Sequence, residues 1–175
     1  MRNYFGILVI LITLACNNTE KKSAELKDST SSEASKPVAV SFENDKLSKI
    51  YSSYISLKDA LVAAKPEEAK SSAKSLSAEL KNFSGCENTS IIADKIENGK
   101  DLLAQRKEFT QLSSDVIALF KHADLTKGTI YVQHCPMANN GDGGDWLASE
   151  KKVLNPYYGD EMLNCGAVIE EIKAK

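Results

Sequence analysis

Two short segments near the C-terminus, His134-Cys135-Pro136-Met137 and Met162-Leu163-Asn164-Cys165-Gly166, gather the side chains best suited to soft-metal chemistry. They hold two of the four cysteines and two of the three methionines, the remaining methionine being Met1. Thiolate and thioether sulfurs with an imidazole beside them form the ligand set that Cu(I) or Ag(I) takes in preference to harder cations. On an extended strand Cys135 and Met137 stand at i and i+2 and share a side, and Pro136 stiffens the link between them. Met162 and Cys165, at i and i+3, are neighbours on one face if that stretch forms a helical turn ending at Gly166. Facing each other, the two segments would make a three- or four-coordinate site of Cys135, Met137, Met162 and Cys165. His134 points away from Cys135 on an ideal strand and becomes an extra ligand only where the chain bends.

The same residues admit a second chemistry. A Cys135–Cys165 disulfide would close a loop of about thirty residues, worth roughly 3 kcal/mol in the loop-entropy model, with Met137 and Met162 as gap-filling core residues. Residue types alone leave both readings open. Cys86 lies on the helical side of the chain and reads as a lone buried thiol.

Other chemistries find less support. Residues 139–150 place Gly144 and Glu150 at the sixth and twelfth positions of a calcium loop. Asn139, Gly141 and Gly143 stand at the first, third and fifth, so two of three side-chain oxygens are missing there. The glycines of 141–144 lack the lysine and hydroxyl residue of a phosphate loop. No Ser/His/Asp set or carboxylate pair can be argued from spacing, and there is no Cys-X-X-Cys redox motif. No enzymatic activity is therefore expected. With 22 basic and 24 acidic residues, net charge −2, the chain has no basic excess for nucleic acid.

The ends of the chain speak to location. Arg2 followed by an apolar run over residues 4–14 has the make-up of an export signal and is too short to span a bilayer. Thr13-Leu14-Ala15-Cys16 resembles a bacterial lipobox, which makes 1–16 a lipoprotein signal peptide and Cys16 the lipidated residue. Acyl chains there would anchor the protein to a membrane. Residues 17–41, rich in serine, lysine, glutamate and alanine and free of aromatics, read as a flexible tether.

The sulfur segments need a scaffold, and residues 42–175 supply one. Apolar residues recur three or four apart in residues 42–64, after Pro66 (Ala69, Ala73, Leu76, Leu80, Phe83), more briefly around Ile91, Ile92 and Ile96, and over 101–122. That periodicity predicts four helices, and their short connections predict an antiparallel bundle. The β-branched run 129–133 predicts a strand leading into Cys135, and 167–172 a second strand closing a small sheet with it. Between them, 146–154 is expected to contain a helical turn and 161–164 another. Trp146, Tyr157 and Tyr158 are expected to form a small C-terminal core.

At residue level the stretch from Tyr131 to Gly166 resembles a bacterial periplasmic family, domain of unknown function three-three-four-seven. The likeness lies in Tyr131, Cys135-Pro136-Met137, Trp146-Leu147, Asn155-Pro156-Tyr157-Tyr158-Gly159, Met162-Leu163 and Cys165-Gly166. It extends more loosely to Tyr54, Leu57, Lys58, Asp59, Ala60 and Leu61. The resemblance implies a helical periplasmic domain, and similar domains fused to copper and silver efflux adaptor proteins. Cys135-Pro136-Met137 also looks like part of the motif of small heavy-metal-binding domains, although Ala138 and Asn139 replace the His-Pro that follows there.

The resulting expectation is a mainly α protein, a four-helix antiparallel bundle with a small C-terminal strand-and-loop subdomain over 129–175. It would sit in the periplasm, lipid-anchored to the cell envelope at the outer membrane. There it would bind Cu(I) or Ag(I) through Cys135, Met137, Met162 and Cys165, with His134 as an extra ligand, for buffering or delivery to metal-efflux adaptor proteins. The alternative is a structural or interaction module of an envelope complex stapled by Cys135–Cys165.

Overall fold

The computed structural model describes residues 39–174; the signal segment, Cys16 and most of the tether lie outside them. The described residues are mainly α, with four helices and a small three-stranded antiparallel sheet at their C-terminal end. Helix α1 (Asp45–Val62) starts at Asn44, whose side chain accepts a hydrogen bond from the Lys46 amide at 2.9 Å. Helix α2 (Pro66–Lys81) begins with proline at its first position and Glu67 and Glu68 in its first turn. Helix α3 (Glu87–Glu97) is short, and α4 (Leu102–Lys121) is capped by the Asp101 carboxylate on Ala104 N–H. Each helix packs on the next in sequence, α1 on α2, α2 on α3 and α3 on α4. None of the described helices is long and apolar enough to cross a membrane.

A two-residue strand, β1 (Ser41–Phe42), pairs with β2 (Leu125–Lys127), so the first expected helix begins three residues later than Phe42. The sheet proper has β3 (Thr129–Cys135) at its centre, flanked by β4 (Gly144–Ala148) and β5 (Ala167–Lys173), both antiparallel to it. The β3–β5 pairing answers the expected closure of the small sheet.

Two local expectations are overturned. Residues 144–148 form an edge strand rather than opening a helical turn, with Trp146 opposite Gln133. Residues 161–164 are not a helical turn either. A single 3₁₀ turn occupies Gly159–Glu161, Met162 leaves it at φ −144°, ψ 47°, and the Cys165 amide returns to the Met162 carbonyl at 2.9 Å in a reverse turn. Glycines at positive φ flank the segment: Gly159 (φ +55°) opens the 3₁₀ turn, and Gly166 (φ +137°) follows the reverse turn.

The C-terminal part is no separate core. Rings run continuously from α1 to the sheet: Tyr54 stacks on Phe109 at 5.6 Å, Phe109 meets Tyr157 at 5.8 Å, and Tyr157 meets Trp146 at 6.0 Å. The Tyr54 hydroxyl bonds Ser113 on α4 and accepts from the Leu147 amide on β4 at 3.1 Å. Tyr54→Phe should therefore cost about 1–2 kcal/mol in urea unfolding, because the buried Leu147 N–H loses its acceptor while the ring packing survives.

Candidate functional site

Strand β3 carries Cys135 at its last position, fully buried, opposite Gly144 of β4. Cys165 lies two residues before β5, where the register pairs His134 with Ala167. The turn that precedes it is held from within. Asn155, fully buried, donates through its side-chain amide to the Cys165 carbonyl at 3.0 Å, and its backbone N–H donates to the Leu163 carbonyl at 2.8 Å. The Asn155 side-chain oxygen accepts from Tyr157 N–H at 2.8 Å, and its carbonyl accepts from Gly159 N–H at 3.0 Å. One side chain thus fastens the Cys165 turn to the Tyr157 ring stack.

These constraints bring the Cys135 and Cys165 sulfurs to 2.9 Å, both as free thiols. Gly166 permits the approach: a Cβ there would stand 2.6 Å from the His134 carbonyl oxygen. The backbone N–H of Met137 faces the Cys165 sulfur, and the Met137 carbonyl accepts from the Tyr158 hydroxyl at 2.5 Å. The bond between the two thiols is the main influence raising the Cys165 pKa, helped by burial and by the charge of Cys135, and the Met137 backbone opposes them. The Cys165 thiol is therefore held protonated at neutral pH, and an ion binding there must displace its proton.

The other expected ligands are placed less closely. His134 turns to the neighbouring strand, its Nδ1 2.6 Å from Asp145 Oδ1, and its ring lies over Gly143. His134 and Cys135 are successive residues of β3, so their side chains leave the strand on opposite sides. The Met137 side chain is 53% exposed. Met162 is half-buried at the start of the turn that ends at Cys165. Among the described residues, no three His, Cys, Asp or Glu side chains gather as a metal site. Cys86 is buried at the start of α3, as expected of a lone thiol, and burial raises its pKa.

Glu150, which had the twelfth position of a calcium loop, instead binds inward. Its carboxylate accepts from the fully buried Lys58 ammonium at 2.9 Å and from the Ser149 hydroxyl at 2.6 Å. The Gln133 amide donates to the carbonyls of Glu150 and Lys152 at 2.9 and 3.2 Å, fixing the same loop. Asn155 and Lys58 figured in the sequence only through the family likeness and Glu150 only in the calcium count, and their buried bonds were not foreseen. The only signal was Asn-Pro, which announces a turn but not that its asparagine is buried.

Fold and site together define a small helical protein whose C-terminal sheet carries a two-thiol centre. Residues 50–128 match the model of the family described as Protein of unknown function (DUF3347). The match runs from α1 to the residue before β3, so it covers Tyr54, Leu57, Lys58, Asp59, Ala60 and Leu61 and stops short of both sulfur segments. No curated protein and no solved structure matches the chain.

Proposed function

We propose that this chain is a non-enzymatic, lipid-anchored protein of the bacterial periplasm that holds one soft ion, Cu(I) or Ag(I), between Cys135 and Cys165. The four helices, arranged as an antiparallel bundle, serve as its support. The observation that carries the reading is the convergence of two thiols from segments thirty residues apart at a spot with one surface side. Two sulfurs are a sufficient ligand set for a low-coordinate monovalent ion, whereas Zn(II) takes four ligands. An ion between them would part the sulfurs from 2.9 Å to roughly 3.8 Å or more, given metal–sulfur bonds of about 2.3 Å. The Cys165 turn supplies that movement, since Cys135 is held in the central strand. Met137 and Met162 flank the pair as thioether donors. Buffering of the ion, or its delivery to a metal-efflux adaptor, follows from an accessible site of this kind.

An anaerobic Cu(I) titration of the reduced protein against a chromogenic chelator tests the reading. The expected result is a one-to-one site tighter than about micromolar, weakened at least ~100-fold by Cys135→Ser or Cys165→Ser. Met137→Leu with Met162→Leu should weaken it less. A protein that never competes with the chelator refutes it.

A second reading, a permanent Cys135–Cys165 staple in an interaction module, is favoured by one fact. The 2.9 Å separation is already shorter than an ion would allow. Protein purified without reductant, two protons light and unchanged by dithiothreitol under native conditions, would support it.

A further inference from the structure

The two thiols differ in one respect that bears on how the site is opened and closed. Cys135 is fully buried under the sheet, while Cys165 is half-buried on a surface turn beside the exposed Met137. A reagent arriving from solvent therefore meets the Cys165 sulfur and not that of Cys135. Behind Cys165, at 2.9 Å, the second sulfur stands ready. A disulfide bond of about 2.05 Å needs less than ~1 Å of further approach. We infer that the site is gated by thiol–disulfide exchange that enters through Cys165, with Cys135 as the resolving thiol and a partner of disulfide or dithiol chemistry as the agent. This rests on the reading of the pair as an ion site.

The exchange balances as follows. The Cys165 thiolate attacks one sulfur of a donor disulfide RSSR, the S–S bond of the donor breaks, and one RS⁻ leaves. The Cys135 thiolate then attacks the Cys165 sulfur of the mixed disulfide, and the second RS⁻ leaves. The two cysteines lose two electrons, the donor gains them, and the two thiol protons end on the two RS⁻ groups. Where an ion is bound, it loses the Cys165 thiolate in the first step and the Cys135 thiolate in the second and departs still as Cu(I), its single positive charge offsetting one of the two RS⁻ released. In reverse, a reducing dithiol attacks the Cys165 sulfur, Cys135 leaves as thiolate, and the site reopens. Oxidation thus discharges the ion and reduction readies the pair to take it again.

The test uses the reduced protein carrying one equivalent of Cu(I), with glutathione disulfide as probe, a chelator reporting free Cu(I) and mass spectrometry reporting the thiols. Release of Cu(I) should keep pace with a two-proton loss of protein mass, and dithiothreitol should restore both mass and binding. In Cys135→Ser a glutathione adduct should accumulate on Cys165. In Cys165→Ser the remaining Cys135 should react at least about tenfold more slowly, because it is buried. In the unsubstituted protein, fragments from an early quench should carry glutathione on Cys165 alone, which keeps the test independent of the variants. Equal reaction at both cysteines, or an oxidised protein that retains Cu(I) as tightly as the reduced one, overturns the gate and leaves the ion site standing. Reduced protein that takes up no Cu(I) overturns the ion site, and the gate with it.

Discussion

Asn155→Ala is expected to lower the stability of the protein by about 2–4 kcal/mol and to loosen ion binding in the same experiment. Alanine removes two side-chain hydrogen bonds and leaves the half-buried Cys165 carbonyl and the buried Tyr157 N–H without these partners. Each orphaned group costs roughly 1–3 kcal/mol, more than the bond itself contributes. The turn carrying Cys165 then loses its tie to the ring stack, and the thiols are no longer held together in advance. The two readouts, midpoint of urea unfolding and Cu(I) competition, should move together. Asn155→Asp separates the two bonds: it keeps the acceptor for Tyr157 N–H but sets a carboxylate against the Cys165 carbonyl, so it should be no milder than alanine. A variant within about 0.5 kcal/mol of the parent would show that the Cys165 turn is held by its backbone alone.

The second large effect is expected at Glu150→Gln, about 2 kcal/mol at neutral pH. Lys58 has no solvent exposure, and its ammonium bonds Glu150 at 2.9 Å and the exposed Asp59 at 2.6 Å. Removing one partner from a buried pair typically costs about 3–5 kcal/mol. Asp59 compensates in part, and Glu150 is itself 25% exposed, which brings the figure down. Lys58→Met should cost less than Glu150→Gln, because it removes the buried charge and fills its channel with a chain of similar length. Burial alone would raise the Glu150 carboxyl, but the Ser149 hydroxyl and the Lys58 ammonium outweigh it and hold its pKa below the ordinary value. A lowered folded pKa contributes stability above the unfolded value of about 4.3, and that stability is lost as pH falls through the folded pKa. The gap between parent and Glu150→Gln should accordingly be full near pH 7 and close below about pH 4. A gap independent of pH would show that the pair contributes through packing and not charge.

The helices were legible because each buries one stripe. Leu47, Ile50, Tyr54, Leu57 and Leu61, or Phe109, Leu112, Val116 and Phe120, recur at the helical spacing, and each is buried. Strand β3 was legible from its β-branched run, although it extends through His134 and Cys135, beyond the expected 129–133. Strand β4 was not, since Trp146, Leu147 and Ala148 are all buried and the alternation that marks a half-exposed strand is absent. The spacing of Met162 and Cys165 misled for another reason: a reverse turn brings residues i and i+3 together as a helical turn does. The meeting of Cys135 and Cys165 was readable as one of two chemistries from residue type. Its support was not, because Asn155 lies 10 positions before Cys165 and no local pattern links the two.

The ring stack from Tyr54 to Trp146 also says where this molecule can be divided. The family-matched stretch stops at residue 128, before the first strand of the sheet. Tyr54 and Phe109 belong to that stretch, yet Tyr157 lies against Phe109 and the Leu147 amide uses the Tyr54 hydroxyl. A chain cut at residue 128 would turn two large aromatic faces toward water and leave Lys58 with Asp59 but without Glu150. The smallest autonomous folding unit is thus the helices and sheet together, and the boundary drawn by sequence likeness falls inside a single cooperative body.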